Sequence, residues 1–264
     1  MKAVAGCSLL LATALVVRAQ DNFADTVVSY VPGSTHDPTY QNPDVALGAP
    51  TATATIGVPA AGTSQIAVIN DGGELTLGFN TPIMNDPTDH ADGMDFTIFG
   101  NDFFAGSTIS STFDHPGLTV WVSQDDVNFY ELDVPNGYGA DDSFPTEGSG
   151  NPLLPVNPEF TLSSFVGLTD AQALSLYDGS AGEASFSISW AVDSNGNPVY
   201  LSSINEIEIE GPNLPAGFNP SAQNAYGLVD AVARVEPVPE PATAGLLCAG
   251  ATLFSFGRRW KRIS

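Results

Sequence analysis

The chain of 264 residues is expected to fold as an all-β protein, an antiparallel β-sandwich or jelly roll, and three features of the sequence say so. Short apolar stretches alternate with polar residues at a period of two. Clusters of Gly, Pro, Asn, Asp and Ser punctuate them at close spacing, and a sustained 3.6-residue period is confined to one short segment. Many short strands without helices between them fit two antiparallel sheets packed face to face, not a parallel α/β sheet.

In chain order, residues 26–31 form the first strand candidate, followed by turn chemistry from Pro32 to Pro38 and a small-residue loop reaching about Thr63. Residues 65–70 and 73–79 read as two strands around the turn Asp71-Gly72-Gly73, the second alternating as Leu75, Leu77, Phe79. An acidic loop, 85–95, feeds a strand over 95–99. Residues 118–124 and 129–132 form a hairpin in which Val120 and Val122 alternate with Thr119, Trp121 and Ser123. The stretch 135–158 is rich in Gly, Pro, Asn, Asp and Ser and reads as a long exposed loop. The one helical period is 169–177, begun by Thr169 or Asp170, with Leu168, Ala171, Leu174 and Leu176 on one side. Strands follow at 185–192, 204–209 and 227–235, the first two separated by the turn Asp193-Ser194-Asn195-Gly196-Asn197.

The ends of the chain have a different character. Met1-Lys2, an apolar stretch 3–17 and the small-residue site Val17-Arg18-Ala19 make residues 1–19 a signal peptide, which implies passage through the Sec translocon. Cys7 precedes most of the apolar region, so it is not read as a lipidation site. At the other end stand Pro239-Glu240-Pro241, an uncharged run 242–257 and the cations Arg258, Arg259, Lys261 and Arg262. Prolines hold the triplet extended just outside the apolar run. That run, with Trp260 as an interfacial ring, approaches the roughly 17–25 residues of a transmembrane helix, and the cations hold its end in the cytoplasm.

The domain between, 20–237, is a polyanion. Arg234 is the only Lys or Arg between residues 21 and 238, and of the 30 acidic residues only Glu240 lies outside that stretch. The formal charge there is 1 − 29 = −28. Nucleic acid is thereby excluded as a partner, because binding it requires Lys or Arg to displace counterions. Self-repulsion of that size favours cations that condense on the chain, and calcium, which takes oxygen ligands, is the expected structural ion. Both cysteines, Cys7 and Cys248, fall in the terminal segments, so the domain carries no disulfide.

Tail order and composition closely resemble the PEP-CTERM sorting signal. The resemblance implies residues 238–264 as a tail that anchors an exported precursor in the inner membrane until an exosortase acts at the Pro-Glu-Pro region. Delivery to the cell surface or extracellular matrix would follow. A plain C-terminal anchor is the alternative. Within the domain, Gly93-Met94-Asp95-Phe96-Thr97-Ile98-Phe99-Gly100-Asn101, the hairpin from Val120 to Tyr130, and Ile188 to Val199 with 204–209 resemble a family of bacterial cell-surface proteins. That family resembles galactose-binding-like β-sandwiches. Gly100 and Asp126 depart from its pattern, which has an acidic residue and a glycine there.

Two acidic sets are candidates for calcium: Asp86, Asp89, Asp92, Asp95, Asn101 and Asp102 around one strand, and Asp37 with Asp44 in the N-terminal loops. The 193–197 segment lacks the glutamate an EF-hand requires twelve positions on and reads as a hairpin turn. His36, His90 and His115 are isolated, and no Gly-x-Ser-x-Gly or His-Glu-x-x-His motif is present, so catalysis is not expected. Aromatic rings suit sugar C–H surfaces; Trp121, Tyr138 and Phe144 are the candidates for ligand contact, whereas Trp190 reads as core. The expected function is that of an exported structural or adhesive component associated with exopolysaccharide. A carbohydrate-binding module with a defined pocket and a secreted hydrolase are the alternatives.

Overall fold

A computed structural model describes residues 22–34, 38–113, 118–135, 144–212 and 227–237. The strands are β1 (Thr26–Val31), β2 (Ala67–Ile69), β3 (Glu74–Met84), β4 (Phe96–Phe99), β5 (Phe103–Ala105), β6 (Ser111–Phe113), β7 (Thr119–Ser123), β8 (Phe129–Leu132), β9 (Ala184–Phe186), β10 (Ala191–Val192), β11 (Ser203–Glu210), β12 (Gly227–Val229) and β13 (Ala231–Arg234). Two short helices, α1 (Leu162–Phe165) and α2 (Asp170–Tyr177), lie between β8 and β9. The protein is all-β in the sense the sequence predicts: every strand pairing is antiparallel.

One layer is a six-stranded sheet in the order β1-β3-β11-β7-β8-β10. Against it stand the three-stranded sheet β13-β4-β9 and the pair β12-β2. Strand alternation explains how the layers close. Leu75, Leu77, Val120, Val122, Ile207 and Ile209 point inward from the large sheet and meet Ile69, Phe96, Ile98, Phe186, Val229 and Val232 in one buried cluster. Phe96 and Phe186 stack at 5.4 Å within it. Register against β11 jumps from Ile83 to Gly78 on β3, a bulge that contains Pro82, a residue unable to donate to a ladder.

The hairpin β7-β8 pairs as its pattern requires, with Asp126 left-handed in the turn (φ 61°). The 193–197 turn closes through Gly196 and Asn197, and the Asp193 carboxylate accepts from the backbone of Asn195 and Asn197. The helix begins where its cap dictates: Thr169 and Gln172 form a capping box ahead of α2. Its buried face matches the expected one in part: Leu168, Leu174 and Leu176 pack partly buried against a second core, but the centre of that face lies elsewhere. Ala173 and Tyr177 are buried and Ala171 is exposed, because the second, aromatic core lies on that side.

That second core corrects the reading of 135–158 as exposed loop. Over its described part, Phe144, Pro145, Thr146, Glu147, Pro155 and Val156 are buried. Phe165 is its hub, with Phe104, Phe144, Phe160 and Tyr177 ring centroids at 5.1, 5.3, 5.8 and 5.9 Å. Helix α1, which the sequence pattern does not announce, carries Phe165 there. The strand expected over 185–192 is likewise broken: after β9 the chain makes a 3-10 turn, Ile188–Trp190, before β10.

Among the described residues no helix is long and apolar enough to cross a membrane. The expected signal helix 1–19 and the expected transmembrane run 242–257 lie outside them.

Candidate functional site

Three constellations of polar side chains stand out, and strand register decides which residues meet. The first covers the solvent face of the six-stranded sheet. Ile204 faces the core at the start of β11 and, after a local irregularity, Ile207 and Ile209 do so, which leaves Glu206, Glu208 and Glu210 projecting outward. Register puts Ser29, Thr76, Glu208, Trp121 and Glu131 in one row across five adjacent strands. The next row contains Glu74, Glu210 and Thr119. Trp121 is half-buried, and its Nε1–H donates to Glu210 Oε2 at 2.9 Å. The Thr76 hydroxyl lies 2.9 Å from the Ser29 hydroxyl and donates to Glu208 Oε2 at 3.2 Å.

No cation accompanies these carboxylates in either row. Partial burial, then repulsion from Glu74, Glu210 and Glu206, raises the Glu208 carboxyl; burial and Asp126 raise Glu206. The face is therefore an aromatic ring set among hydroxyls and like charges.

A second constellation closes one rim of the three-stranded sheet. Asp230 sits where the last strand changes partner, from β2 along β12 to β4 along β13, and its N–H donates to the Phe99 carbonyl at 2.7 Å. Glu183 precedes Ala184, the partner of Ile98, and Asp102 follows the end of β4. All three carboxylates are buried. The Asp230 oxygens accept from the Thr51 N–H (2.6 Å) and hydroxyl (3.0 Å), while Glu183 Oε1 accepts from the Thr146 hydroxyl at 2.6 Å. Burial pushes Asp230 up to about 6. Burial, and next the Asp102 charge, hold Glu183 well above the usual carboxylate range, and burial with Glu183, Glu147 and Asp102 does the same to the Tyr177 hydroxyl. Gly182 and Glu183 are both left-handed (φ 90° and 67°), which costs Glu183 of order 1 kcal/mol and turns its side chain into the rim.

The third constellation is the acidic loop. Asp95 is fully buried; His90 Nδ1 lies 2.8 Å from its Oδ1, the Asp86 N–H donates to the same oxygen at 3.2 Å, and the Ile188 N–H donates to Oδ2 at 2.7 Å. Asp86 accepts from the Thr88 hydroxyl, the main cause of its lowered pKa, and Asp89 and Asp92 are exposed. The expected calcium set is thus distributed, not gathered. Asp95 and Asp102 flank β4, about 20 Å of extended chain apart, so Asp102 joins the rim while Asp95 fastens the loop to the 3-10 turn. Asp44 is exposed beside its own Asn42 cap, and Asp37 lies outside the described residues. Among the described residues no group of three or more His, Cys, Asp or Glu side chains stands close enough to hold a metal ion.

Of the ligand candidates, Trp121 is on the solvent face as its alternation implies. Phe144, expected as an accessible ring, is 1 % exposed and packs on Phe165, because the chain after it closes over the second core. Tyr138 and the sorting residues from Pro239 onward lie outside the described residues. Trp190 is half-buried against the main core. Sequence reading missed Glu183 and Asp230; the signal for Asp230 was a lone acid inside the apolar run from Gly227 to Val235. No protein-family model matches the chain, and no curated protein is similar to it.

Proposed function

We propose that this protein is an exported component of the cell surface or extracellular matrix that associates with polysaccharide through the solvent face of its six-stranded sheet. The observation that carries the reading is Trp121, a half-buried ring held by Glu210 on a sheet face and flanked by hydroxyls and carboxylates. A ring offers its apolar surface to sugar C–H groups, while acids and hydroxyls accept from and donate to sugar hydroxyls. The sandwich is of the galactose-binding-like type in this proposal, supported by the two antiparallel layers and by the motifs around 93–101 and 188–199. Glycan-array binding by the purified protein tests it: Trp121→Ala is expected to abolish the signal while leaving the melting temperature within a few degrees, and an unchanged signal overturns the reading.

The route to the surface rests on the two ends of the chain: the leader 1–19 for the Sec translocon, and Pro239-Glu240-Pro241 with Arg258, Arg259, Lys261 and Arg262 for an exosortase. The precursor is anchored in the inner membrane through 242–257 and then released. Mass measurement of the protein recovered from its native host is expected to show loss of the residues following the Pro-Glu-Pro region; an intact C-terminus makes the tail a permanent anchor. Calcium enters as a counter-ion of the polyanionic domain, supported by the single guanidinium among 29 carboxylates.

A further inference from the structure

The geometry of the outer sheet face points to a narrower ligand class: we propose that it binds a glycan carrying free, protonated amino groups, an assignment that rests on the polysaccharide reading above. Around Trp121 the nearest ionisable side chains are acids. Glu208 and Glu131 stand on either side of it in its row, Glu210 accepts its indole N–H, and Glu206 lies two residues along the same strand from Glu208. Like charges directly opposite each other destabilise a sheet, and Glu74 stands opposite Glu210. A sequence free to vary on a solvent face has no folding reason to concentrate them beside a tryptophan. Arg234, the only Lys or Arg among the described residues, lies on β13 in the other layer and donates to the Thr81 carbonyl, a contact that brings no described cation to the carboxylates of this face.

A neutral sugar would leave those charges uncompensated, and an acidic one would add to them. An amino sugar supplies both missing parts: an ammonium for the carboxylates and a ring face for Trp121, whose negative π surface also attracts a cation. A basic peptide could meet the carboxylates but would have little use for the half-buried Ser29 hydroxyl, which rests on buried Thr76 and suits a sugar hydroxyl.

The test is a calorimetric titration of the purified full-length protein at mildly acidic pH, with three probes of equal length: the fully de-N-acetylated β-1,4-glucosamine hexamer, its fully N-acetylated counterpart and hexalysine. The amine-bearing hexamer is expected to bind about tenfold or more tighter than the acetylated one, with affinity falling as salt rises. Glu208→Gln combined with Glu210→Gln is expected to remove that advantage, and Trp121→Ala to weaken both glycans. The pair Asp89→Asn and Asp92→Asn, which removes equal charge from the exposed loop, is expected to change neither affinity by more than about twofold.

Equal binding of the two glycans overturns the amine assignment and leaves the polysaccharide reading standing; binding of neither overturns both. Hexalysine binding as tightly as the amine-bearing hexamer, or a loop pair that costs as much as the sheet pair, shows attraction to the net charge alone and overturns the site.

Discussion

The two acidic assemblies of this molecule contain similar residues and impose opposite demands on them. On the sheet face, Glu206, Glu208 and Glu210 are half-buried and keep water within reach. At the rim, Asp102, Glu183 and Asp230 are buried near Tyr177, with Asp230 held by Thr51 and Glu183 by Thr146 and the Gly100 backbone. A carboxylate on a wet sheet face costs little and is available to a partner. One buried beside another carboxylate loads the folded state with a charge that burial disfavours. The sheet face is therefore the place to look for ligand, and the rim the place to look for pH-dependent stability.

The largest expected effect breaks the second, aromatic core. Phe165→Ala removes the hub of four ring contacts and should destabilise the protein by about 3–5 kcal/mol. Chemical denaturation measures it, and a cost below about 1 kcal/mol would mean the second core is not packed as described. Glycan binding on the distant sheet face should survive in the folded fraction.

Next comes the pH dependence. Asp230 stands at about 6 in the folded protein against an ordinary 3.8. An acid raised on folding stabilises the protonated protein: its contribution is fully present below about 4 and lost as pH rises through about 6. At 1.36 kcal/mol per pKa step, the difference from 3.8 to about 6 amounts to about 3 kcal/mol. Glu183, shifted in the same direction, adds to the loss. Stability should therefore rise on acidification from neutral pH toward 5, and Asp230→Asn should raise stability at pH 7 by about 1–2 kcal/mol and flatten the profile. The asparagine amide can still accept from the Thr51 N–H and donate to its hydroxyl. A profile that falls steadily below pH 7 in the parent contradicts the dry rim. By contrast Glu208→Gln, on the wet face, should shift stability by no more than about 0.5 kcal/mol.

Legibility in the sequence divides along the same line. The six-stranded sheet announces itself because its strands alternate: Leu75-Leu77-Phe79, Val120-Val122 and Ile207-Ile209 mark an inner face, and Trp121 falls on the outer one by parity. The rim does not, because its carboxylates come from three separated strand ends and only pairing brings them together. The 86–102 acids show the converse. Their nearness in sequence suggested one ion site, yet an extended strand carries Asp95 and Asp102 to opposite ends. Phe144 departs from its expected exposure for a related reason: glycine and proline around it signal irregular backbone, and irregular backbone here covers an aromatic core.

The smallest expected effect concerns calcium. If calcium serves as counter-ion to the polyanion, millimolar calcium after chelation should raise the melting temperature by a few degrees, through RT ln(1 + [L]/Kd) for sites that exist only when folded. Magnesium should do less, since it dehydrates reluctantly and demands octahedral geometry. No shift with either ion removes calcium from the account and leaves the sheet-face ligand untouched.

The most direct measurement follows the Trp121 indole. Its Nε1–H is held by Glu210, so its resonance reports both the ring and the neighbouring carboxylate. In a heteronuclear titration with the amine-bearing hexamer, the Trp121 indole signal and the backbone amides of Glu208 and Glu210 should shift together and saturate at one concentration, with the Trp190 indole unmoved. Saturable binding that leaves the Trp121 signal in place, or that moves Trp190 instead, contradicts the assignment of the sheet face as the binding surface.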